Sequence, residues 1–107
     1  MNGLNDLARE VHQNAVEHGW WENPPEFGTI IALIHSELSE ALEEYRNGKP
    51  IVYEIDGKPE GIASEFADVI IRVLDYCGHA GIDIEEAIRV KMEYNKTRPY
   101  KHGGKVV

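Results

Sequence analysis

Cysteine is almost missing from this chain. Cys77 is the single one among 107 residues, which excludes an internal disulfide and any cysteine-cluster metal site. It lies in an apolar run and reads as an inert core thiol. No apolar run approaches the ~20 residues of a membrane span. The first residues, MNGLNDLAREVHQN, lack the apolar core of a signal peptide. The expectation is a cytoplasmic protein with no membrane partner. Positive charge is also short, with 11 Lys and Arg against 19 Asp and Glu and a net charge of −8. Proteins that hold nucleic acid polymers are usually basic, so DNA or RNA is disfavoured as a partner. Polyphosphate remains open if a divalent cation lies between it and the acids. The chain has no glycine-rich P-loop, serine nucleophile elbow, HExxH or CxxC. The Glu-x-x-His pairs of di-iron bundles do not occur on the second and third helical segments.

What is present is helical periodicity. The length allows one domain, 1–107, with a poor surface-to-volume ratio that favours self-association. Leu4, Leu7, Ala8, Val11, Ala15 and Val16 predict a helix over Leu4–His18, stopped by Gly19. Trp20–Glu26 holds Pro24 and Pro25 and reads as a rigid loop. A broad apolar stripe from Ile30 to Tyr45 predicts a second helix over Phe27–Arg46, ended by Asn47-Gly48. Ile51–Ile55 is β-prone and Asp56-Gly57 is a turn signal, so a short extended flap or small hairpin is expected there. The third helix is expected over Glu60–His79, ended by Gly78 and Gly81, with a stripe wide enough to be covered by its own chain and by a partner. Asp83 with Glu86 three residues on resembles a capping box opening a fourth helix. In it Ile84, Ala87, Ile88 and Met92 face the core, and Pro99 ends it. The tail Tyr100–Val107, with Gly103-Gly104, is expected to be mobile. The fold class expected is all-α, with four helices and a flap between the second and third.

Two pairs of acids could carry chemistry. Glu37 and Glu40 are three residues apart, which in a helix is ~300° and ~4.5 Å, so they share a face. Glu65 and Asp68 repeat the spacing. If the two helices pack antiparallel, four carboxylates converge, and an all-oxygen donor set suits Mg²⁺ or Mn²⁺. Two carboxylates ~5 Å apart at an effective dielectric of ~20 repel by roughly 3 kcal/mol; a divalent cation reverses the sign. The plain alternative is that the acids are solvated helix faces. Against it, Glu65 and Asp68 flank Phe66 and Ala67 in the most apolar helix. Lys91, Asn95 and Arg98 share a face of the fourth helix and suit phosphate oxygens, although an ordinary solvated face has the same pattern. Trp20 and Trp21 beside the prolines read either as core plugs or as an aromatic surface for a nucleobase. His35 reads as a core or capping histidine. Glu43 and Glu44 continue the second helix, Glu44 on the face of Glu37 and Glu40, with no ligand role for either.

Glu37-x-x-Glu40 followed by Glu65-x-x-Asp68 resembles the ExxE…ExxD signature of the MazG-like all-α NTP pyrophosphohydrolase superfamily, which includes dimeric dUTPases and dCTP pyrophosphatases. Trp21, the proline loop, the Ile30–Leu33 run and Lys91-x-x-x-Asn95-x-x-Arg98 also fit, so the resemblance spans roughly residues 5–100. The sequence departs from the family in two places. No glycine lies between the paired glutamates, and the Pro50–Pro59 insert has no match. The resemblance implies a MazG-like bundle completed as a homodimer or homotetramer, with Mg²⁺ held by Glu37, Glu40, Glu65 and Asp68. It implies hydrolysis of a nucleoside triphosphate to monophosphate and pyrophosphate, as nucleotide-pool house-cleaning. Glu40 is the favoured general base, not separable from Glu37 by sequence. Trp21, Lys91, Asn95 and Arg98 would bind substrate, with Lys101, His102 and Lys105 as further cations. The rivals are a non-catalytic helical oligomerisation module and a nucleotide-binding regulator.

Overall fold

The computed structural model describes residues 3–100. Four helices and one hairpin follow in the order α1 (Leu4–Glu17), α2 (Phe27–Arg46), β1 (Tyr53–Ile55), β2 (Lys58–Glu60), α3 (Ile62–Ala80) and α4 (Ile84–Lys96). The chain is therefore mostly helical, and the expected flap is an antiparallel hairpin pairing Tyr53 with Glu60 and Ile55 with Lys58. Its turn residues Asp56 and Gly57 both have positive φ, 51° and 83°. A two-residue turn of that kind matches the twist of the flanking strands. The tail expectation and the cations Lys101, His102 and Lys105 lie outside the described residues.

Helix α3 is the central element and packs on both α1 and α2. Gly78 does not stop it, as the sequence suggested; the helix runs through to Ala80 and ends at left-handed Gly81. A Cβ at Gly78 would lie 2.6 Å from the His12 Cβ and 2.7 Å from the Ala8 carbonyl oxygen. The glycine thus serves the close approach of two helices. It adjoins the small core of Ala8, Leu74 and Cys77, against which Leu7, Val73 and Ile84 pack. Glu60 belongs to β2 rather than to α3, because Gly61, at φ 104°, turns the chain there. A Cβ on Gly61 would meet the Ile51 carbonyl oxygen at 2.3 Å.

Helix α4 departs most from expectation. Asp83 caps it, accepting from the Glu86 N–H at 3.0 Å. The Glu86 carboxylate does not complete a capping box but binds Arg89 at 2.9 and 2.6 Å. Asn5 of α1 laces the helix start: its side chain donates to Asp83 and accepts from the Ile84 and Glu85 N–H groups. Beyond Ile84 the helix leaves the bundle; Ile88 and Met92, expected in the core, are exposed, and no residue of α4 is buried. Large apolar side chains also stand exposed on α2 (Leu38, Leu42, Tyr45) and α3 (Phe66, Ile70). Among the described residues no helix is long and apolar enough to cross a membrane.

Candidate functional site

Helices α2 and α3 run antiparallel. Glu37 pairs with Arg72 at 3.4 Å, and Glu44 accepts from the Gly61 N–H at 3.3 Å, so rising numbers on α2 meet falling numbers on α3. Between those two ties the acids face one another. One oxygen from each of Glu37, Glu65 and Asp68 lies within 4.8 Å of the others. Glu40 lies beside Glu65, and Glu37 beside Asp68, close enough in each case for a shared proton. Three of the four acids are half-buried, and Glu40 forms the exposed edge.

This arrangement is electrostatically uncomfortable. Burial, followed by the neighbouring Glu40, Glu37 and Asp68 carboxylates, pushes Glu65 up to about 7. Asp68 is raised by burial and then by Glu37, while Arg72 and Lys58 act in the opposite direction. Glu65 occupies the first turn of α3, where the helix dipole favours an anion by ~0.3–1 kcal/mol. That is less than the roughly 3 kcal/mol repulsion of one close carboxylate pair, so the neighbours win. One oxygen, Glu65 Oε2, is buried with no hydrogen-bond partner. A buried unsatisfied acceptor of this kind costs ~1–3 kcal/mol or more. The donor set fits a hard divalent cation. Oxygens on one Mg²⁺ stand about 3–4 Å apart given Mg–O bonds of ~2.1 Å, so small side-chain rotations would close the gap.

An open cleft of ≈ 650 Å³ adjoins the acids. Asp68 and Arg72 belong to its lining as well as to the cluster, and Ile30, Leu33, Ile71, Trp21 and Tyr76 make its walls mostly apolar. Trp21 is anchored rather than loose. Its indole N–H donates to both oxygens of Asp75 at 3.0 and 3.2 Å. Its ring stacks on His79 with centroids 4.0 Å apart. His12 Nδ1 meets the same Asp75 at 2.8 Å. Trp20, also in the cleft lining, is 70% exposed.

Comparison with protein-family models, with curated proteins and with solved structures brings no match.

The expected phosphate stripe lies elsewhere in this chain. Lys91 and Arg98 flank the Tyr94 ring, 5.3 and 5.9 Å from its centroid; Lys91 and Asn95 stand on α4, which packs chiefly on α1, while Arg98 lies past the end of that helix at Lys96. The cations acting on the acids are instead Arg72 and Lys58, which sequence reasoning passed over. A signal for Arg72 existed: Glu65, Asp68, Arg72, Asp75 and His79 recur at alternating three- and four-residue steps, one polar face of α3. Glu44, left without a role, anchors the hairpin. It accepts from the Tyr53 hydroxyl at 2.8 and 3.0 Å, which pushes that phenol up to about 12. Glu43 is a surface residue paired with Arg46 at 3.4 Å, and His35 is exposed.

Proposed function

We propose that this chain is a divalent-metal-dependent nucleoside triphosphate pyrophosphohydrolase of the MazG-like kind. It would convert a nucleoside triphosphate and water to a monophosphate and pyrophosphate. The observation that carries the reading is the facing of two ExxE/ExxD pairs across α2 and α3, with a buried and unpartnered Glu65 oxygen at their centre. Glu37, Glu65 and Asp68 would hold Mg²⁺ or Mn²⁺, with Glu40 at the edge. The cation, when bound, neutralises phosphate charge and acidifies water. Phosphoryl transfer asks the protein mainly for charge neutralisation and alignment. Glu40, the most solvent-accessible of the acids, would take the proton of the attacking water. The apolar cleft offers room for a nucleoside, with Trp21 as a wall held by Asp75 and His79. Arg72, common to cleft and cluster, would orient the α phosphate.

The exposed apolar faces of α2, α3 and α4 support a homo-oligomer, dimer or tetramer, in which these faces are covered. Lys91, Asn95 and Arg98 would then meet substrate only if assembly brings α4 to a neighbouring site.

The deciding experiment is turnover of a panel of nucleoside triphosphates with Mg²⁺ in ¹⁸O-water. Label on the monophosphate, with pyrophosphate as co-product, is expected. Label in inorganic phosphate with a nucleoside diphosphate would assign a different hydrolase class. Absence of any turnover would favour a binding module.

A further inference from the structure

The face between α2 and α3 has a direction. From the cleft toward the hairpin, α3 presents Asp75, Arg72, Asp68 and Glu65, and then comes its cap Gly61, which directly follows the end of β2. At ~1.5 Å per helical residue, Asp75 to Gly61 spans about 21 Å. The nucleoside-sized cleft lies at one end and the hairpin at the other. The hairpin is docked, not loose: Tyr53 is bound to Glu44, the Ala63 N–H donates to the Ile51 carbonyl at 3.2 Å, and Ser64 Oγ donates to the Pro59 carbonyl at 3.3 Å. It carries one cation toward the acids, Lys58, the first residue of β2. The Lys58 ammonium lies 3.2 Å from Glu60, and its side chain is 79% exposed. Its charge also reaches Glu65, Glu40 and Asp68.

Charge balance gives this lysine a task. Four carboxylates with one divalent ion keep a net charge of about −2, and two such ions only neutralise them. A polyphosphate arriving there needs cations from the protein at both ends of the cluster. Arg72 is fixed at the cleft end by Glu37. At the hairpin end the Lys58 side of the pair is open to solvent while Glu60 is only 21% exposed, and a pair screened from one side contributes on the order of 1 kcal/mol. It is therefore readily exchanged for stronger charge-assisted bonds to phosphate. Lysine suits the exchange, being a compact charge on a flexible stem.

We propose that the hairpin is the phosphate-end clamp of the site, with Lys58 leaving Glu60 to bind the β and γ phosphates of a triphosphate whose nucleoside lies in the cleft. This deepens the pyrophosphohydrolase reading and rests on it. It gives the hairpin a role in holding the leaving pyrophosphate, and it sets the α phosphate between Arg72 and Asp68.

The test uses the full chain and calorimetric binding of Mn²⁺ alone, then of inorganic pyrophosphate and of a nucleoside monophosphate, each with Mn²⁺. In Lys58→Met, Mn²⁺ affinity should stay within about twofold of wild type, while pyrophosphate affinity falls about tenfold and monophosphate affinity is kept. Lys58→Arg should restore pyrophosphate binding. Lys49→Met, which removes a lysine from the loop before the hairpin, should bind pyrophosphate as wild type does. Equal pyrophosphate binding by Lys58→Met and wild type would overturn the clamp. So would equal losses for pyrophosphate and monophosphate, or the same loss in Lys49→Met, which would mean bulk charge only. Failure of wild type to bind Mn²⁺ is a separate outcome that removes the metal-centre reading and the clamp with it.

Discussion

Glu65 is the residue on which the most forces meet. It is half-buried, it faces Glu40, Glu37 and Asp68, and one of its oxygens lacks any donor. Replacing it with Gln keeps the shape and removes one negative ligand. Groups that merely hydrogen-bond to metal ligands already cost about 10–100-fold in affinity or activity when removed. Glu65→Gln and Asp68→Asn should therefore each lower kcat/KM and Mn²⁺ affinity by at least about 100-fold while the helical circular dichroism is kept. Unchanged values in both would place the site elsewhere. Glu43→Gln should be silent, since Glu43 is 63% exposed and its carboxylate pairs with the surface residue Arg46. This contrast was legible in sequence, because faces follow from helical spacing. The role of Glu44 was not. Its spacing puts it with Glu37 and Glu40, yet it faces the point where the chain turns from β2 into α3. Its oxygens are taken by Tyr53 and Gly61.

At the level of elements, two contacts govern how the site is held. Glu44 joins hairpin to helix, and hydrogen bonds to a charged acceptor contribute ~1.5–3 kcal/mol. Glu44→Ala should lower the melting temperature and raise protease cleavage in residues 51–60, with α2 and α3 still helical. Cleavage and melting like wild type would show the hairpin to be held by its backbone contacts alone. The other contact is the approach of α1 to α3 at Gly78. Alanine there would force the helices apart, and overpacking of this kind costs ~1–3 kcal/mol. That loss should outweigh the ~1 kcal/mol by which alanine is the better helix former. Gly78→Ala should therefore melt earlier than wild type. A higher melting temperature would mean that α1 yields easily. Helix propensity alone points the wrong way at Gly78, which is why the sequence suggested a helix end there.

For the molecule as a whole, the facing acids are a source of instability. Glu65 is raised to about 7 in the folded chain, against an ordinary value of 4.5, and Asp68 is raised too. Between those two values the folded protein holds a proton that the unfolded chain has released. Stability from this source is therefore greatest in mild acid and is lost as pH rises through about 7. Metal-free protein should melt at a lower temperature at pH 8 than at pH 5.5, and Mn²⁺ should restore most of the difference. Glu65→Gln should flatten the trend; an equally steep trend in that variant would assign it to other groups, the histidines first. The other whole-molecule feature is apolar surface. Leu38, Leu42, Phe66 and Ile70 are 45–52% exposed, and covering such side chains contributes up to ~1.5–3 kcal/mol each. Light scattering at micromolar concentration should find a dimer or larger; a monodisperse monomer would contradict it.

The sequence alone determined what depends on near neighbours in the chain. Helix periodicity placed Phe27–Arg46 at its observed bounds, Asp56-Gly57 placed the hairpin turn, and three-residue spacing paired the acids on single faces. Each is a matter of a few consecutive dihedrals. Tertiary structure alone decided the axial register of α2 against α3, and with it which charges face which. The register brings Arg72 and Lys58, rather than the Lys91 face of α4, to bear on the acids. Packing of α3 against the loop between α1 and α2 brings Asp75 to Trp21 across 54 positions of chain. Such pairings arise where helices slide until side chains fit, with Gly78 admitting α1 and Gly61 admitting the hairpin. No local pattern carries that information, because the contact energy belongs to residues far apart in sequence.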